Sequence, residues 1–123
     1  MKIIFAIGVG SFIGGVSRYL LSTIIENKNY SSFPFGTLGV NIMGCVLIGI
    51  LYGYLEHGSL TDEWKLFLAT GVLGGFTTFS AFSAETFLLV HNKQQGIAFL
   101  YVIGTILLGL LATAVGYLLG KLV

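Results

Sequence analysis

With 123 residues, 55% of them hydrophobic and 9% charged, where an ordinary soluble domain carries about 25% charged residues, and with a mean hydropathy of +0.94, this chain lacks the polar surface that a water-facing exterior needs. It reads as a membrane protein of one domain over 1–123, and a large soluble catalytic domain is excluded. Six Lys/Arg against five Asp/Glu give a net charge of +1, which leaves no basic stripe for nucleic acid, and the single Cys45 can form neither an intrachain disulfide nor a CxxC metal site.

A crossing takes roughly 20 apolar residues, and the charged residues divide the chain into four such spans, about 3–25, 33–55, 66–90 and 96–120. The expected fold class is therefore an all-α membrane protein of four transmembrane helices. The intervening segments 26–32, 56–63 and 91–95 are polar and short, so consecutive helices are antiparallel neighbours. The start, Met1-Lys2 followed by apolar residues, looks like a signal peptide, but its apolar stretch exceeds an h-region and carries Arg18 and four glycines. It reads as the first retained span of a multi-pass protein of the cell membrane.

Four spans place both termini on one side. Lys2, Lys65 and Lys121 then fall on that side and Arg18, Lys28 and Lys93 on the other. Orientation follows the excess of Lys and Arg in short cytoplasmic loops, and a three-to-three tie gives the insertion machinery nothing to choose. Both orientations are expected, and a chain inserted both ways supplies two inverted copies around an axis in the membrane plane. The expected assembly is an antiparallel, dual-topology homodimer.

Within the first, second and fourth spans small residues recur four apart: Gly10 with Gly14, Ser11 with Gly15, Cys45 with Gly49 and Gly53, and Ala112 with Gly116 and Gly120. Such stripes let helix backbones approach where lipid provides no hydrophobic drive. They point to packing, not chemistry.

The third span is different. From Gly71 to Glu85 it reads GVLGGFTTFSAFSAE, with paired glycines and hydroxyl residues where a lipid-facing helix holds Leu and Val. Glycine costs about 1 kcal/mol relative to Ala inside a helix, and the expectation is a broken third helix, interrupted near residues 74–78, with its freed backbone buried in protein or lining a cavity. Exposed carbonyls at midmembrane suit Na+, and the amides of the restarting helix suit an anion; a plain packing kink would bind neither. Phe79 and Phe82 share a face beyond the break, with Glu85 three residues further on. Ring edges are the positive side of the aromatic quadrupole and could guide a small anion that must also leave. Arg18, Asn41 and Glu85 are intramembrane polar residues, functional by default, although Arg18 and Glu85 could also snorkel and Asn41 could tie helices together. Tyr101, Thr105 and Thr113 add hydroxyls to the fourth span.

Three segments, Gly14-Gly15-Val16-Ser17-Arg18-Tyr19, then residues 34–44 (PFGTLGVNIMG), then residues 74–83 (GGFTTFSAFS), resemble motifs of the Fluc/CrcB fluoride channels of bacteria, in the same order and on the same helices. The resemblance covers the first three spans; the fourth agrees in hydropathy. It implies a passive fluoride-selective channel that exports F− across the plasma membrane and confers fluoride resistance, with two pores per antiparallel dimer. By motif position, Phe79 and Phe82 would be the paired aromatics of the pore, Asn41 a fluoride donor and Arg18 the cation of an aqueous vestibule. Ser80 borders the expected anion path, to which Thr37 in the second motif and Tyr101 on the fourth span also belong. A structural Na+ at the dimer interface would be held by the backbone carbonyls of Gly74 and Thr77. Ala81 stands where the family usually has threonine, so one hydroxyl of the expected polar track is missing.

Three rival readings are weaker. A proton-coupled exporter of the small multidrug resistance type needs a carboxylate in its first helix, and this one has Arg18 instead. A non-transporting scaffold leaves Asn41, the break and the Phe pair unexplained. An enzyme is disfavoured because His57 and His91 fall in different loops on opposite sides and no nucleophile with a nearby base can be assembled.

Overall fold

The computed structural model describes residues 1–28, 31–58 and 60–123, so Asn29 and Tyr30 of the first linker and Ser59 of the second lie outside the described residues. Among the described residues every regular element is helical. Helix α1 runs over Lys2–Lys28 and α2 over Phe35–Leu55. The third span, Asp62–His91, is composite: α3 (Asp62–Lys65), a π-helical stretch (Leu66–Leu73), α4 (Gly74–Phe76) and α5 (Phe79–His91). Helix α6 covers Gln95–Leu122. Among the described residues four helices are thus long and apolar enough to cross a membrane. The first extends through Glu26–Lys28, which the charge pattern assigns to a linker.

Local chemistry sets the helix ends. Pro34, with its fixed φ, stands immediately before α2, and its carbonyl accepts the Leu38 N–H at 3.1 Å. Thr61 caps α3, with Asp62 and Glu63 in the first turn, where the helix dipole favours negative charge. Helix α5 ends in a Schellman turn: the Gln94 N–H donates to Leu89 O at 2.8 Å and the Lys93 N–H to Val90 O at 3.0 Å. Lys93 occupies the left-handed position, φ 60°, that usually goes to glycine.

Small residues decide which helices touch. A Cβ on Gly116 or Gly120 would collide with the Val46 or Ile50 carbonyl of α2, and one on Gly49 or Gly53 with the Thr113 or Tyr117 carbonyl of α6. The two stripes read from the sequence therefore face each other, and α2 and α6 pack backbone on backbone. Helix α1 treats the third span likewise. A Cβ on Gly10 would stand 2.7 Å from Phe67 O, and one on Gly75 2.6 Å from Ser11 O. Beyond the end of α2, the exposed Glu56 accepts from the Tyr117 hydroxyl and pairs with Lys121 at 3.0 Å. The Tyr117 hydrogen bond, then Lys121, holds its carboxyl below the usual carboxylate range. Near the opposite end Leu89, Ala98 and the fully buried Tyr101 form a small core against Phe33, Leu38, Phe82 and Ile97.

Candidate functional site: a braced break in the third span

The third span breaks at Thr77 and Thr78, both in extended conformation (ψ 157° and 117°). The break falls within the expected stretch 74–78, although the glycine pair at its head remains helical in α4. A hydroxyl and an amide locate the interruption. Thr78 is the N-cap of α5, its side chain accepting the Ala81 N–H at 3.1 Å and lying 3.2 Å from the Ser80 hydroxyl. Asn41 of α2 grips the same residue from the side: its Nδ2 donates to Thr78 O at 3.0 Å and its Oδ1 accepts the Thr78 N–H at 2.8 Å. Upstream, Arg18 Nε donates to Gly75 O at 3.1 Å, and the Thr77 hydroxyl donates to Leu73 O at 3.0 Å.

These bonds redirect donors. In an unbroken helix Gly74 O would receive the Thr78 N–H and Thr77 O the Ala81 N–H. Here the first goes to Asn41 and the second to the Thr78 hydroxyl. Gly74 and Thr77 thus offer neutral, hard backbone oxygens, the donor type that Na+ takes and that a soft or strongly ligated metal does not. Among the described residues no three His, Cys, Asp or Glu side chains come together in a metal-binding group.

An open groove of about 460 Å³ runs beside the break, lined by Asn41, Thr77, Thr78, Phe79, Phe82 and, from α6, Thr105. The Phe79 and Phe82 rings lie 5.7 Å apart at 46°, and Phe82 continues to Tyr101 at 5.1 Å and 53°. Tyr101 and Phe33 are T-shaped at 5.5 Å. This aromatic row leads from the break toward the linker end of the bundle. There the Thr37 hydroxyl donates to Glu85 Oε1 at 2.6 Å and the Tyr101 hydroxyl to Oε2 at 2.7 Å. Glu85 also borders a polar basin of about 490 Å³ shared with Glu26, Ser31 and Asn92.

The residues singled out from sequence therefore form two groups joined by Phe82. Arg18, Asn41, Ser80, Phe79, Gly74 and Thr77 surround the break; Thr37 and Tyr101 meet on Glu85. Sequence reasoning missed the Glu85 anchorage and the central part played by Thr78. The second left a signal, a hydroxyl residue immediately before a new apolar run; the first, joining residues 48 and 16 positions apart, left none.

A family model described as CrcB-like protein, Camphor Resistance (CrcB), matches residues 5–117. The chain belongs to the CrcB family. A protein of Flavobacterium psychrophilum named fluoride-specific ion channel FluC is 45% identical over 122 residues, 98% of each chain. Proteins of the same name from a Nitratiruptor species (40% over 120 residues, 98% of this chain and 93% of that one) and from Thermus thermophilus (42% over 114 residues, 93% and 91%) are similar throughout. Four apolar helices of spanning length, in a family whose curated relatives are named as ion channels, make this CrcB-family chain a multi-pass membrane protein with a transport function, not an enzymatic one.

Proposed function

We propose that the protein is a passive, fluoride-selective channel that exports F− across the plasma membrane as an antiparallel, dual-topology homodimer with two pores. The observation that carries this reading is the extended Thr77–Thr78 pair, clamped by Asn41 at the head of the Phe79–Phe82 groove, in a chain whose relatives are named fluoride-specific ion channels. F− is small and strongly hydrated, so a pore must replace its water with close donors. An amide nitrogen carries two hydrogens. Asn41 commits one to Thr78 and presents the other to the ion, with the Phe79 and Phe82 edges and the Ser80 hydroxyl continuing the path. Arg18 supplies positive charge near the same level. Thr37 and Tyr101 serve the anion only where one of them lets go of Glu85.

Exposure supports the dimer. Phe79 is 77% exposed in the single chain, and a groove open to lipid cannot conduct an ion. A second, inverted copy closes it. At the shared axis the carbonyls of Gly74 and Thr77 from both copies would hold a structural Na+, whose charge eases an anion past a level where an unpaired charge costs at least about 2.5–3.5 kcal/mol.

The deciding experiment is ion efflux from liposomes loaded with KF or KCl, with valinomycin to relieve the voltage. Fluoride release without chloride release, and without an imposed proton gradient, is expected. Release of both anions removes the selectivity, and release of neither from properly inserted protein removes the channel.

A further inference from the structure

An interrupted helix leaves carbonyls at its upstream end without helical donors. In an unbroken helix Gly75 O would receive the Phe79 N–H, but the extended pair Thr77–Thr78 carries Phe79 out of that register. Arg18 Nε, 57 residues away on α1, takes the place of that donor at 3.1 Å. It can reach because α1 lies directly against the third span at this level: a Cβ on Gly75 would stand 2.6 Å from Ser11 O and 3.2 Å from Gly15 N. The cation also sits at the carbonyl end of the helical run 62–76, the end that a positive charge stabilises. Arg18 bonds through its single Nε–H, so the four N–H of its fork remain for other partners. Asn41 holds the downstream side of the break from α2. The two helices brace it from opposite ends.

We propose that Arg18 is a positioning residue that sets the geometry of the break through the Gly75 carbonyl, and does not act solely as a free vestibule charge that draws anions in. The proposal rests on the channel reading for its flux measurement only. Full-length wild type, Arg18→Gln and Arg18→Met are reconstituted in liposomes, and initial fluoride efflux is measured over a range of internal fluoride. Arg18→Met should lower the maximal rate about tenfold or more at every concentration, the effect of one hydrogen bond to a charged donor, with the half-saturating concentration little changed. Arg18→Gln, neutral but still able to donate to a carbonyl, should recover a substantial part. If Gln and Met fall together and high fluoride restores both, the charge alone matters and the proposal fails.

A second readout needs no transport. Phe76 is the one phenylalanine preceded by glycine, so carbonyl-¹³C glycine with ¹⁵N phenylalanine yields a single coupled NMR signal, the Gly75 carbonyl. It should shift toward the unbonded value in Arg18→Met and much less in Arg18→Gln. A signal that stays put in Arg18→Met overturns the proposal whatever the fluxes. Wild-type protein that passes no fluoride defeats the channel reading, and the carbonyl signal then decides this one separately.

Discussion

Where the glycine stripes of α2 and α6 meet, backbone lies on backbone: Gly49 and Gly53 lie on the Thr113 and Tyr117 carbonyls, and Gly116 and Gly120 on those of Val46 and Ile50. Where the third span breaks, the backbone is met by side chains from other helices, Arg18 on Gly75 and Asn41 on both polar groups of Thr78. The first contact gains its strength from many weak van der Waals approaches, available because glycine leaves room. The second concentrates it in a few part-buried hydrogen bonds, each costly to lose. One region should therefore respond to volume and the other to hydrogen-bonding chemistry.

The comparison can be broken most severely at Gly116. Gly116→Val forces a branched side chain onto the Val46 carbonyl, which cannot yield, and should cost about 3 kcal/mol or more; the monodisperse peak in detergent should collapse and transport with it. Asn41→Leu attacks the other side. The protein should still elute as the wild type does, while fluoride efflux falls about a hundredfold as two bonds to Thr78 are lost. Asn41→Gln keeps both an acceptor and a donor on a longer arm, so its efflux should lie between those of the wild type and Asn41→Leu. Equal efflux from both variants would mean that the clamp is not what matters at this position.

Smaller changes sharpen the contrast. Tyr101→Phe removes one of the two hydroxyls on Glu85 while preserving the ring contacts, and should destabilise the fold by about 1.5–3 kcal/mol, the range for a hydrogen bond to a charged group; thermal unfolding in detergent reads this directly. Lys93→Gly touches neither region. It relieves a left-handed residue in the α5–α6 turn and should raise stability by up to about 1 kcal/mol, with unchanged fluoride efflux.

Much of this contrast is legible in the amino-acid sequence alone. The four-residue recurrence of Gly49 and Gly53, and of Gly116 and Gly120, marks close-packed faces because the helical period itself brings such residues into line. Their pairing with each other, by contrast, is a tertiary fact. The break is legible as composition and to within residues 74–78, but its exact seat is not: Gly75 stays helical closely packed on α1, whereas Thr78 is held out of the helix by Asn41, 37 residues away. Glu85 shows in sequence only as an expensive intramembrane acid. What stabilises it there, the hydroxyls of Thr37 and Tyr101, comes from two other helices. The π-helical stretch has no local signal, since LFLATGVL reads as an ordinary apolar helix.

That stretch gives the third span a reserve of chain. Each of its turns closes with one residue more than an α-helical turn, and it lies between two fixed points, the Thr61 cap and the clamped Thr78. Loss of one residue from 66–73 can be absorbed by tightening a single turn to α, with both ends staying in place while the Phe67–Gly71 contact with α1 readjusts. The same loss from the middle of α2 or α6 would swing half of its glycine stripe about 100° off its partner. The span that carries the proposed pore chemistry is therefore also the one whose length can drift without disturbing it.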